Sequence, residues 1–207
     1  MADSPAAALA ALPSALRSTV SGVLGDPLRL FAEPGPVYEA DVTFDGDARL
    51  PALTQLLRPG RRYTTFIRVA PVSEDAVVRT LCIKFPDAYG PGDDQDFLFA
   101  SSGDGAPLHH VAYPSARADD RLYSSLWLYM AGLRPVVFGA AAPAGSQPGA
   151  LGAGDRLDFM VGGVIGRFKR VGDIQLGSEI PQASVGFAAS NSGGGLRALP
   201  PALFYRG

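Results

Sequence analysis

Cysteine occurs once in this chain, at Cys82, tryptophan once and histidine twice among 207 residues. A single cysteine excludes an intramolecular disulfide, so no feature of the sequence asks for an oxidising compartment. Cys82 stands between Leu81 and Ile83 in an apolar run, the setting of a buried small hydrophobe rather than a reactive thiol. Lysine is scarce as well. Apart from Lys84 and Lys169 the basic residues are arginines, a usage that fits high-GC bacterial coding sequence. The formal net charge is −2 and no basic stripe is present, which argues against nucleic acid as a partner. Long apolar runs are missing too. VVFGAAAPAG, from Val136, is broken by glycine and proline well short of a bilayer span, so no membrane segment is expected. The N-terminal MADSPAAALAALPSALRSTVSG opens with an acid and carries Pro13 in its apolar part, unlike a signal peptide; the expected location is cytoplasmic. There is also no phosphate-binding loop, no complete metal-ligand set and no nucleophile with a base beside it.

What is present is an ordinary globular composition, 47% hydrophobic and 18% charged, in a chain long enough for one domain with a proper core. Residues 5–24 have helical spacing of Leu9, Leu12, Leu16, Val20 and Val23; Pro27 and the EPGP at 33–36 then lead in as extended chain. Residues 1–36 are therefore expected to form an N-terminal helix and lead-in, and 37–207 the main domain. Period-two alternation and β-branched or aromatic content mark strands at 37–44, 62–70, 77–85 and 96–101. A short helix is expected over LPALTQLL (50–57) and a second over DDRLYSSLWLYMAG (119–132), capped by Asp119 or Asp120 and ended by Gly132. Strand resumes in RPVVFGA, and two further strands surround Gly162, Gly163 and Gly166. The expected fold is α+β: an antiparallel β-barrel with a few flanking helices.

Several short pieces carry a likeness to a known family: VYEADVTF, the IRVA around Arg68, and Arg79 followed by CIKF, GPG and DFL. In this pattern the chain resembles the barrel of the heme catalases and their small catalase-related proteins. The segment SVGFAASNSGGGLRALPPALFY resembles a shortened form of the stretch that leads to the family's heme-ligating tyrosine, which places Tyr205 there. The departures are in the chemistry. RLFAEPGP, before the first strand, has no distal histidine, and peroxide heterolysis needs a base at that place. Ser101 or Ser102 stands where the family has its distal asparagine, and Arg206 next to Tyr205 is not at the family's spacing.

The resemblance, with these losses, implies a degenerate, heme-free barrel that binds an apolar small molecule and acts as an isomerase, cyclase or dehydratase. The candidate catalytic groups are Arg68, His109, Glu39 and Tyr38, with no metal site. Arg68 aligns with a cavity-side arginine of the family and is expected to meet either Glu39 or the ligand. The cavity wall is expected from Phe66, Leu81, Ile83, Phe97 and Phe99. One alternative is a heme b-dependent hydroperoxide-processing enzyme, in which Tyr205 would hold the iron. Another is a non-catalytic binding or dimerisation module. The expected partner is a small molecule, with a homodimer left open. His109 and His110 would face opposite sides on a strand, and as loop residues they would sit at the rim.

Overall fold

Alternation along residues 37–44 puts Tyr38, Ala40, Val42 and Phe44 on one face and Glu39, Asp41 and Thr43 on the other, and the first set is buried. A strand of this kind needs partners on both edges and a covered face. The computed structural model describes residues 30–32, 34–70, 78–106, 108–110, 112, 122–143, 151–181 and 185–206, and there those partners close a ring. The strands are β1 (Val37–Phe44), β2 (Arg62–Val69), β3 (Thr80–Phe85), β4 (Gln95–Ser101), β5 (Leu122–Ser124) and β6 (Tyr129–Ala131). After them come β7 (Arg134–Ala141), β8 (Arg156–Gly163), β9 (Lys169–Ile180) and β10 (Leu196–Ala198). All pairings are antiparallel. β1 to β5 run in order, β5 pairs β7, β7 pairs β8, β8 pairs β9 and β9 returns to β1, giving a closed eight-stranded barrel. Closure leaves no free edge in the ring. β6 and β10 extend the sheet from the first half of β7.

The register decides what faces the lumen. Ile67 opposes Ile83, and Ile83 opposes Phe97, so the interior takes Ile67, Leu81, Ile83, Phe85, Phe97 and Phe99. At the end where β1 turns towards β2, aromatic rings fill the interior. Phe97 lies 4.8 Å from Phe138, 5.6 Å from Tyr129 and 5.8 Å from Phe159, centroid to centroid, and all four are essentially unexposed. Small eight-stranded barrels can be filled in this way by side chains. Two glycines make room. A Cβ on Gly172, in β9 opposite Phe44, would sit 2.3 Å from the Thr43 carbonyl oxygen. Gly132, at φ +60 in the β6–β7 turn, would strike the Ala52 carbonyl at 2.5 Å.

The barrel agrees with expectation; the helices do not. The described part of 119–132 is two strands, β5 and β6, around a turn in which Leu126 takes φ +57. Tyr129 and Ala131 are buried with Met130 between them less so, which is period two, and the ladders to β7 and β10 take up the backbone groups a helix would have satisfied internally. Residues 50–57 are turns, not helix, with Leu53 at φ +65 and Leu56 and Leu57 buried. The only helical elements among the described residues are 3-10 turns at Leu108–His110 and Ala202–Phe204, so the helical part of an α+β label has no support there. The expected helix at 5–24 lies outside the described residues. Among the described residues, no helix is long and apolar enough to cross a membrane.

A second layer covers part of the outer wall. Phe31 and the 187–191 stretch lie over β2, β3 and β4, Tyr205 packs on Phe31, and Phe187, Ala189 and Tyr205 are buried with the barrel residues. This is why Cys82, Leu98 and Ala100, on the face opposite the lumen, are as buried as the core itself.

Candidate functional site

The covered face of β2, β3 and β4 carries Arg68, Cys82, Lys84 and Asp96, four polar or titratable side chains buried between two apolar layers. Burial of charge is costly unless a partner compensates, so each partner is informative. Lys84 has two. Its Nζ lies 2.7 Å from Asp94 Oδ2 and 2.9 Å from Asp96 Oδ1. Burial disfavours the ammonium, yet the bonds and charges of Asp94 and Asp96 hold Lys84 above its ordinary value. Asp96 is wholly unexposed. Its Oδ2 accepts from the Ala188 backbone N–H at 2.7 Å and Asn191 Nδ2 at 2.9 Å, and its own N–H donates to the Asn191 carbonyl. Oδ1 is close to Nζ but off the line of a hydrogen bond. Burial pushes the Asp96 carboxyl up, and the Ala188 N–H, Lys84 and Asn191 pull it back. This carboxylate clamps the 185–191 segment to the barrel.

Arg68 is handled differently. Its guanidinium donates to the Phe31 carbonyl, reaches Cys82 Sγ at 3.4 Å and stands 5.1 Å from the Phe187 ring centroid. Among the described residues no carboxylate pairs with it. The expected Arg68–Glu39 pair is not formed: Glu39 is exposed on the outer wall, opposite Phe66 in the register. Arg68 itself faces away from the lumen, together with Phe66, because Ile67 between them points inward against Ile83. The placement of Phe66 and Arg68 in a lumen wall is thus corrected, while Leu81, Ile83, Phe97 and Phe99 do face the interior. Cys82 is a thiol kept protonated: burial pushes it up to about 11, with Arg68 pulling the other way.

The remaining candidates do not gather around Arg68. Tyr38 is buried on the lumen side of β1, and burial raises its hydroxyl, helped by Glu179 and Asp155. Glu39 lines an open surface groove of about 580 Å³ with Asp41, Arg62, Thr64 and Gln175. Tyr205 is nearer: its ring lies 5.4 Å from Phe31, the residue whose carbonyl receives Arg68. Its hydroxyl accepts from Trp127 Nε1 at 3.0 Å. Heme does not fit this arrangement. An iron ligand must be a phenolate facing open space, whereas Tyr205 is 1% exposed, packed against Phe31, and raised by burial against the pull of Trp127.

His109 and His110 form a separate cluster. They sit on a 3-10 turn rather than a strand, so their rings converge, with Nε2 atoms 2.9 Å apart. His110 Nδ1 donates to the carbonyl of Leu126 at 2.8 Å, which leaves its Nε2 to accept the His109 Nε2–H. Ser124 Oγ donates to the His109 carbonyl and accepts the Leu126 N–H, holding the strained turn closed. His109 is 1% exposed, and its Nε2 is engaged by His110. Burial and then His110 lower its pKa, against the Val164 carbonyl and Asp104. The sign follows. Unfolded histidine titrates near 6.5 and takes up its proton first, so the stability from neutral His109 is present above about pH 6.5 and lost as pH falls through the lower folded value. Thermal midpoints measured from pH 7.5 to 5 should fall, and His109→Gln should flatten that fall; an unchanged slope would remove the pair from the acid response.

Phe31, Phe187, Asn191 and Trp127, which complete the buried layer, were not candidates from the sequence. Asp96 had a readable signal: an acid in phase with Leu98 and Ala100 inside a strand whose residues are all buried. The class that this geometry defines is a closed antiparallel barrel with a charged, covered outer wall. No protein-family model matches the chain, and no curated protein matches its sequence.

Proposed function

We propose that this chain is a heme-free, catalase-like barrel that binds an apolar small molecule bearing an anionic group, with Arg68 as the anion's partner beneath the 185–206 segment. The observation that supports this reading is the contrast on one wall. Lys84 has two carboxylates, and Arg68, 6% exposed, has a carbonyl, a thiol and an aromatic ring but no counter-charge among the described residues. A planar guanidinium suits a carboxylate in a bidentate arrangement, and Phe31 and Phe187 supply the apolar surroundings. Tyr205, kept protonated by burial and packed on the same Phe31, is an acid within that layer. An anchor and a proton donor together suit an isomerase, cyclase or dehydratase acting on one bound acid.

The test compares octanoate with octanol on the wild type and on Arg68→Met. Octanoate should raise the thermal midpoint, octanol should not, and Arg68→Met should lose the response while folding normally. Cys82 gives an independent readout. Cys82 is unexposed and burial holds its thiol protonated, so labelling of the folded protein should be far slower than for an exposed thiol, and octanoate should slow it further. If Arg68→Met instead costs about 3–5 kcal/mol, a carboxylate of the chain itself pairs with Arg68 and the ligand reading fails.

A further inference from the structure

The bond between Trp127 and Tyr205 has a direction that chemistry fixes. An indole N–H can only donate, so across 3.0 Å the Tyr205 oxygen is the acceptor. The phenol keeps its own proton, since burial raises its pKa against the pull of Trp127. That proton turns away from the indole. No oxygen or nitrogen among the described residues receives it, although Tyr205 is 1% exposed. Where the chain uses a tyrosine as a pin, the hydroxyl is matched. Tyr63 donates to the Leu56 carbonyl at 2.7 Å, and Tyr89 to Gln95 Oε1 at 2.8 Å. A buried donor without an acceptor is destabilising, so the Tyr205 proton stands ready for a partner that the chain does not supply.

Both rings are held from behind. The Trp127 N–H donates to the Ser125 carbonyl, and the Trp127 carbonyl accepts from Ser125 Oγ at 2.9 Å. On the other side the Tyr205 N–H donates to the Ala202 carbonyl, and the Tyr205 carbonyl accepts from the Ala189 N–H. The Leu199 N–H donates to the Leu128 carbonyl, so the two backbones are tied together near the pair. The indole thus meets the hydroxyl from a set direction. The Tyr205 ring also stands 5.4 Å from Phe31, whose carbonyl receives Arg68.

We propose that the ligand carries a ketone carbonyl besides its anionic group, that this carbonyl receives the Tyr205 proton, and that Trp127 is the positioning residue that aims it. The proposal rests on the reading of Arg68 as the anion's partner and narrows the ligand from apolar acids to oxo acids. Trp127 does two things. It occupies the phenol oxygen as an acceptor, so the hydroxyl meets the ligand as a donor only. Its N–H also favours charge on that oxygen, which strengthens the bond the phenol gives and offsets part of the effect of burial. A donor of this kind discriminates by what it lacks: a ligand without the carbonyl leaves the proton unmatched in an apolar layer. A bond that merely pinned two layers together would affect stability and give no preference among ligands.

Calorimetric titration of the full chain with octanoate and with the isomeric oxo-octanoates, the ketone moved one carbon at a time, tests it. At least one isomer should bind about tenfold tighter than octanoate. Tyr205→Phe should bring that isomer level with octanoate, and Trp127→Phe, which keeps the hydroxyl but frees its direction, should cut the preference to about threefold. The comparison on the wild type decides without any variant. Octanoate binding that depends on Arg68, with no isomer preferred, would overturn the proposal and leave the Arg68 reading standing. Binding of neither octanoate nor any isomer would overturn both. A preference that survives Tyr205→Phe would also overturn the proposal, as would a lowered thermal midpoint in Trp127→Phe with the preference intact, which would make the bond a structural pin.

Discussion

Asp96→Ala should lower the unfolding free energy by about 3–5 kcal/mol, the cost of removing one member of a buried ion pair and leaving the other charge behind. The carboxylate is unexposed and holds Lys84, the Ala188 N–H and Asn191 together, so its loss leaves Lys84 with Asp94 alone and leaves the Ala188 N–H and the Asn191 amide without their acceptor in the same covered layer. An unsatisfied buried donor alone costs about 1–3 kcal/mol, and the two penalties overlap rather than add. Against a typical domain stability of about 5–15 kcal/mol this is a large fraction. Urea unfolding reads the loss, and hydrogen exchange should place its local part at 187–191. Asp94→Ala is the control. That carboxylate is more exposed, and Asp96 stays beside Lys84 when it is removed, so its loss should cost no more than about 1 kcal/mol. Replacing the pair together, Lys84→Met with Asp96→Leu, should recover the part of the loss that belongs to the cation, while the Ala188 N–H and the Asn191 amide still lack their acceptor. A loss under about 1 kcal/mol for Asp96→Ala would mean that the 185–191 segment is not held by this carboxylate.

Phe97→Ala should cost a similar amount, about 3–5 kcal/mol, for a different reason. Phe97 is the ring on which the filled end of the lumen converges, with Phe85, Phe99, Tyr129, Phe138 and Phe159 all within 6.0 Å of its centroid. Truncation removes its transfer free energy and leaves a cavity whose walls belong to a closed barrel and cannot collapse freely. Such a cavity is dry and apolar, so benzene should bind the variant and raise its midpoint, and should leave the wild type unmoved. Phe204→Ala, at a ring 59% exposed, should change stability by no more than about 0.5 kcal/mol. A small effect of Phe97→Ala would show that the lumen is open there, and would return a cavity inside the barrel to consideration.

The strands of the barrel could be read from the chain because their signal is local. β1, β3, β4 and β7 to β9 each carry runs of β-branched and aromatic residues between Gly, Pro and Asp turns, and those preferences hold before any partner is present. Residues 122–131 could not be read that way. Tyr123, Leu126, Trp127 and Met130 satisfy a helical spacing, while Tyr129 and Ala131 satisfy the strand spacing. The choice fell to the free edges of β4 and β7, which offered ladders to the short strands on either side of Leu126.

The candidate site divides along the same line. Cys82 was legible as a buried, inert thiol, since an apolar strand buries it whichever way the sheet faces. The side on which Arg68 lies was not. β2 carries Phe66 and Ile67 in succession, so both faces look apolar, and either could have been the lumen. Only ring closure, with Ile67 opposite Ile83 and Ile83 opposite Phe97, turned one face inward. Only the second layer, Phe31 with Phe187 and Tyr205, then buried the other. Alternation along a strand sorts residues into two sets by local geometry, and no local geometry says which set is covered and by what.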